Sequence, residues 1–135
     1  MPTTVTLDRA TGIRITTATG VVSGQDFVDI YHQIIADPEL SHATRSLVDL
    51  REASFAEFTS GDVRAAVNLP QLPRQAETRM AIVATTAVAY GMSRMYAMMQ
   101  EGERPGEAQV FQSYDEALDW LGADTIKSGT AEGRG

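Results

Sequence analysis

Tyr90, Arg94 and Met98 stand four residues apart, a spacing that puts all three on one side of an α-helix. Tyrosine and arginine are the residue types enriched where proteins touch one another. An aromatic ring beside a guanidinium also suits an anionic ligand. The plainer reading of the same trio is a solvated helix face carrying one i,i+4 pair. A second group, Thr59, Ser60, Asp62 and Arg64, falls where a helix should begin. Free amides and the helix dipole stabilise phosphate at such a place, so Ser60 and Thr59 are candidate phosphosites with Asp62 in the first turn. An ordinary N-cap needs the same residue types.

Other chemistry finds little support. His32 and His42 are ten residues apart, and the acidic residues around them make no convincing ligand set, so neither a metal site nor a cofactor is expected. The glycines at 20, 24 and 61 make no dinucleotide fingerprint, and there is no G-x-S-x-G, Walker A or H-E-x-x-H signature. No catalytic residue is assigned, and the expectation is a non-enzymatic protein. Asp49 closes a strand-like run, a position that holds ligands in many α/β proteins and orders the next loop in many more.

The 135-residue chain has the size of one domain, with 43% hydrophobic residues and no cysteine. Lacking cysteine, it has no disulfide, thiolate metal site or cysteine nucleophile, and it suits a reducing, cytoplasmic setting. A net charge of −7 sets it against phosphate backbones and anionic bilayers, which argues against nucleic acid as a partner. The first residues have neither a basic nor an apolar signal region, and no apolar run approaches a membrane span, so no stable membrane insertion is expected.

The elements that must position these residues follow from hydrophobic period. Alternation over 3–7 and 13–19, with a turn at 8–12, reads as a β-hairpin. Phe27, Ile30, Tyr31 and Ile34 recur at helical spacing within 25–36, with Ser23 as cap, His32 on the solvent side and Asp37-Pro38 as the stop. Residues 45–50 read as a buried strand, with Phe55 and Phe58 in the connection after it. A helix from Thr59 or Ser60 to about 68 is stopped by Pro70 and Pro73. The continuous apolar run 80–85 reads as a central parallel strand. A helix over 86–101 follows, with Val88, Met92, Met95, Tyr96 and Met99 expected against the sheet and Gly102, Pro105 and Gly106 ending it. Residues 108–111 form the last strand, and a helix capped by Ser113 ends at Gly122. Strands alternating with helices imply a mainly parallel sheet in an α/β domain spanning 1–122, followed by a loose, flexible tail over 123–135.

Four pieces in this order, Leu47-Val48-Asp49-Leu50-Arg51, Met80-Ala81-Ile82-Val83-Ala84, Tyr90-Gly91-Met92-Ser93-Arg94-Met95-Tyr96 and Val110-Phe111 with Glu116-Ala117-Leu118-Asp119-Trp120-Leu121, resemble the SpoIIAA-like group of small STAS/SEC14-type proteins. The resemblance runs from about residue 13 to 122. It implies an α/β, SpoIIAA-like (STAS-type) domain with about five strands, an N-terminal antiparallel hairpin and about four helices. It also implies a regulatory module that binds a protein partner, as anti-sigma-factor antagonists bind a kinase-like protein and are switched by phosphorylation. The antagonists carry phosphoserine in an Asp-Ser-Ser-Gly-type turn; the matching turn here is Glu57-Phe58-Thr59-Ser60-Gly61, without the aspartate. The SEC14 side of the resemblance implies instead a binder of a lipid or other apolar small ligand. A cavity of the roughly 300 Å³ or more typical of ligand sites needs apolar lining beyond what covering a sheet requires. Exposed apolar residues on the third helix also suggest a homodimer.

Overall fold

The structure, a computed structural model, describes residues 3–69, 79–100 and 107–122. Strands β1 (Thr3–Asp8) and β2 (Ile13–Val21) form the expected antiparallel hairpin, with Thr3 opposite Ala18 and Asp8 opposite Ile13. The turn is organised by Asp8, whose carboxylate accepts from the Ala10 amide and the Thr11 hydroxyl. Gly12 leaves it at φ 77°, a left-handed conformation that suits glycine.

Strands β3 (Arg45–Ser54), β4 (Arg79–Val83) and β5 (Glu107–Phe111) add in parallel, giving a five-stranded sheet in the order β1-β2-β3-β4-β5. Helix α1 (Gly24–Ile35) and the short α2 (Pro38–Ser41) link β2 to β3. Helix α3 (Ser60–Val67) precedes β4, α4 (Ala87–Gln100) precedes β5, and α5 (Tyr114–Leu121) closes the described chain. The described residues thus hold five helices where about four were expected. The additional one is α2. Asp37-Pro38 does end α1, but Pro38 also opens a new turn, with the Asp37 carboxylate accepting from the Glu39 amide. Proline at the first helical position gives up no bond, because its missing N–H is one of the orphans there.

The two faces of the sheet separate by period-two alternation. On one face Ile13, Leu47, Ala81 and Val83 pack against Ala117 and Leu121 of α5. Ile13, Leu47 and Val83 are fully buried there, worth about 1.5–3 kcal/mol each in transfer terms before chain entropy is counted. On the other face Ala18, Leu50 and Ile82 meet Val22, Phe55 and Ala89, while Ile30, Ile34 and Leu40 of α1 and α2 cover Val5 and Leu7. The proposed tail over 123–135, and the prolines and glycines expected to end α3 and α4, lie outside the described residues.

The sheet-facing stripe of α4 differs from the expected one. Ala89, Ser93 and Gln100 are its buried residues, with Met92 and Tyr96 packed beside them, while Val88 is 55% exposed. The small Ala89 and Ser93 are the residues that turn inward, and the methionine spacing points about a quarter-turn away from them. Helix α4 therefore presents a small-residue and aromatic edge to the sheet rather than a methionine ridge.

Candidate functional site

The inner face of β2, β3 and β4 does not pack flush against its helices. Between them lies a cavity of about 180 Å³. Its floor follows the strand alternation: Arg14 and Thr16 from β2, Ser46, Val48 and Leu50 from β3, Met80 and Ile82 from β4. Its roof follows helical spacing: Phe27, Ile30, Tyr31 and Ile34 from α1, Val63 and Ala66 from α3, Met92, Ser93 and Tyr96 from α4. Phe55 and Phe58, in the connection after β3, close one side together with Phe27. Their rings meet edge to face, with centroids 5.6 Å apart for Phe27–Phe58 and 5.0 Å for Phe55–Phe58.

Three polar side chains are set side by side into this floor. Arg14 pairs across the strands with Ser46, and Thr16 with Val48. Arg14, Thr16 and Ser46 are each only 5% exposed, as is Ser93 in the roof. The Arg14 guanidinium is oriented by donating to the Leu40 carbonyl at 2.8 Å, which ties β2 to α2. The cavity is therefore apolar at its aromatic side and polar along Arg14, Thr16 and Ser46 on its floor.

Sequence reading placed no function at these residues. Arg14 and Thr16 fall in a stretch read only as an alternating strand and Ser46 in a run read as a buried strand, and nothing in either pattern marks a cavity floor. The extra apolar lining comes from Phe55 and Phe58, in a segment read only as a connection.

The residues singled out in the sequence lie elsewhere, except that α4 contributes to both. Arg94 is exposed and Met98 is 62% exposed, whereas Tyr90 is half-buried and packs on the cluster of Ala18, Val22 and Phe55. Arg94 and Met98 thus share a solvent-facing side and Tyr90 leaves it. At the start of α3, Thr59 and Asp62 form a reciprocal capping box: the Asp62 amide donates to the Thr59 hydroxyl at 3.1 Å, and the Thr59 amide donates to the Asp62 carboxylate at 2.9 Å. Ser60 is exposed beside it. Phosphate on the Thr59 hydroxyl would replace this bond and set two anions together. Arg64, also named with this group, is exposed within α3.

Asp49, expected to close its strand, lies midway along β3, which runs on to Ser54; it accepts from Arg51 Nε and Nη2, both at 2.9 Å, and from the Arg51 backbone amide at 3.1 Å. The Arg51 guanidinium, which also lies 4.4 Å over the Tyr114 ring, holds the Asp49 carboxyl below its ordinary value against the opposing effect of burial. Among the described residues no group of three or more metal-ligating side chains comes together, and no helix is long and apolar enough to cross a membrane.

A five-stranded sheet with one antiparallel edge pair, three parallel pairings and helices on both faces defines a SpoIIAA-like α/β domain, here with a cavity under three of its helices. Among solved structures the chain is similar to an uncharacterised protein of the DUF3478 family with a SpoIIAA-like fold from Shewanella loihica PV-4. The two share 17% identity at a TM-score of 0.57, over 88% of this chain and 93% of that one. At this identity the likeness is one of fold, and fold alone does not carry function. No family model and no curated protein matches the chain.

Proposed function

We propose that the domain is a non-enzymatic binding module for a small, largely apolar ligand. The observation that carries this reading is the cavity of about 180 Å³ lined by Phe27, Phe55, Phe58, Met80, Met92 and Tyr96. Protein interiors are close-packed, and an apolar cavity of about 150 Å³ is enough to take up benzene. The space suits a single ring or a short chain and falls short of a whole two-chain lipid. Its walls supply dispersion contact and a few fixed donors, which are the requirements of binding.

Methyl-labelled methionine offers a direct test. Titration with indole should shift the Met80 and Met92 methyl resonances saturably and leave that of exposed Met98 in place. Unmoved Met80 and Met92 signals would overturn the reading.

A second reading, a regulatory module that docks a protein partner or a second copy of itself, is favoured by the exposure of Arg94 and of Met98 on one side of α4. Under it, Arg94→Glu and Met98→Asp weaken self-association in sedimentation equilibrium without lowering the melting temperature. Sedimentation identical to wild type rules out the self-association form of this reading.

A further inference from the structure

We infer that the ligand of the cavity is an uncharged aromatic molecule of single-ring size that carries a hydroxyl or ring N–H, of the phenol or indole type, with its polar group received by Thr16 and Ser46. This deepens the proposed binding function and rests on it. Its own support is the set of groups that the lining leaves open. Thr16 of β2 and Ser46 of β3 line the floor from adjacent strands, and Ser93 of α4 lines the roof. Each of the three is only 5% exposed. Among the described residues no side-chain hydrogen bond engages any of their hydroxyls. A hydroxyl can donate and accept, and leaving it unmatched in a buried place is costly, so these groups favour a ligand that brings a hydrogen-bonding partner.

The apolar side selects a ring over a chain. Phe58 stands at 86° to Phe27 and at 68° to Phe55, so the wall offers ring edges as well as ring faces. A ligand ring meets such a wall in the edge-to-face or offset geometry that aromatic pairs prefer, a gain beyond the area it buries. The thioethers of Met80 and Met92, which also line the cavity, add sulfur–aromatic contacts. A saturated body of the same size has the dispersion contact alone. The polar seat selects against charge. Hydroxyls are neutral dipoles, and an ion held by them alone would stay uncompensated in a buried site. The described lining holds no carboxylate for a cation. The Arg14 guanidinium is engaged with the Leu40 carbonyl through Nη1, and the seat does not depend on it.

The test compares phenol, benzene, cyclohexanol and benzoate, each titrated at pH 7 and read by the Met80 and Met92 methyl shifts. Phenol should bind roughly fivefold more tightly than benzene, the worth of one hydrogen bond. It should bind roughly fivefold more tightly than cyclohexanol, the worth of ring-on-ring contact. When Thr16→Val is combined with Ser46→Ala, the advantage of phenol over benzene should vanish while benzene binds as before; a merely structural role of the two residues would weaken both probes alike. Because the comparison is made first in the wild-type protein, it stands even if the double variant does not fold. Benzene bound as tightly as phenol would overturn the polar seat and leave the cavity reading intact. Cyclohexanol equal to phenol would overturn the ring. Tighter binding of benzoate would overturn the uncharged ligand in favour of an acid. A double variant that folds and keeps the phenol advantage would overturn the assignment to Thr16 and Ser46. Failure of all four probes to move either methyl, with indole also inert, removes the binding function and this inference with it.

Discussion

At the scale of single residues, Gly24 brings the start of α1 close against Asp62 of α3. A Cβ built there falls 2.6 Å from Asp62 Oδ1 and 3.0 Å from its Cγ. The same carboxylate holds the Thr59 amide through its other oxygen, so it has little freedom to retreat. Gly24→Ala is expected to push Asp62 out of the α3 capping box and cost about 1 kcal/mol, the usual value of a lost cap. The check is a urea midpoint in two backgrounds: the loss should appear in the wild type and disappear when Asp62 is already alanine, as coupled neighbours require. Additive losses would mean that the two side chains do not meet. Asp49 supplies a second prediction, in pH. Its folded carboxyl titrates below its unfolded one because Arg51 bonds the charged form. Stabilisation is therefore complete above the ordinary carboxylate value of about 3.9 and is lost as pH falls through the lower folded value. The stability difference between wild type and Asp49→Asn should be flat from about pH 5 to 7 and shrink below about pH 4. A difference that grows on acidification contradicts the assignment.

At the scale of elements, the sequence is most legible where burial repeats with a regular period. The hairpin, the α1 stripe at Phe27, Ile30, Tyr31 and Ile34, and the apolar centre of β4 all appear in the structure close to their expected bounds. Legibility fails where one residue type serves two geometries. Pro38 both stops α1 and starts α2. Arg51 and Glu52 look like the end of a strand, yet β3 continues through them to Ser54 because Ala53 still points inward. Arg45 is read only as the first residue of a strand. Its guanidinium joins the Thr11 carbonyl of the hairpin turn to the Leu121 carbonyl at the end of α5, partners 34 and 76 residues away that no local pattern reveals. The α4 register is the sharpest case, since Ala89 and Ser93 carry too little hydrophobicity to outweigh five larger apolar residues. Ala89→Asp is expected to cost about 3 kcal/mol or more, as an unpaired buried charge does. Val88→Asp, one residue earlier and 55% exposed, should stay within about 0.5 kcal/mol of wild type. Chemical denaturation of the two variants reads the register directly, and similar losses would place both residues at the core.

At the scale of the whole molecule, the cavity couples binding to stability. One face of the sheet is sealed by α5 with Ala117 and Leu121 fully packed, whereas the other shares its helices between core and cavity. Floor residues come from three strands and roof residues from three helices, so the site exists only in the assembled domain. A ligand that enters it binds the folded state alone and stabilises it by mass action, about 2.7 kcal/mol at a hundredfold excess over its Kd. For a domain of this length that corresponds to a rise in Tm of about 8 °C. Filling the same space with protein should do the ligand's work permanently. Ala66 lies in the roof on α3, on a helix face that can carry a larger side chain toward the aromatic corner. Ala66→Phe is therefore expected to raise the melting temperature without ligand, by about 1 kcal/mol of added burial less any packing strain. It should also abolish the rise expected with indole in the wild type, the exchange of function for stability expected at a binding site. Thermal melts of both proteins with and without indole decide the matter. An indole-dependent rise that survives in Ala66→Phe places the ligand elsewhere on the molecule, and a rise confined to the wild type ties the stability of the whole domain to the occupancy of this cavity.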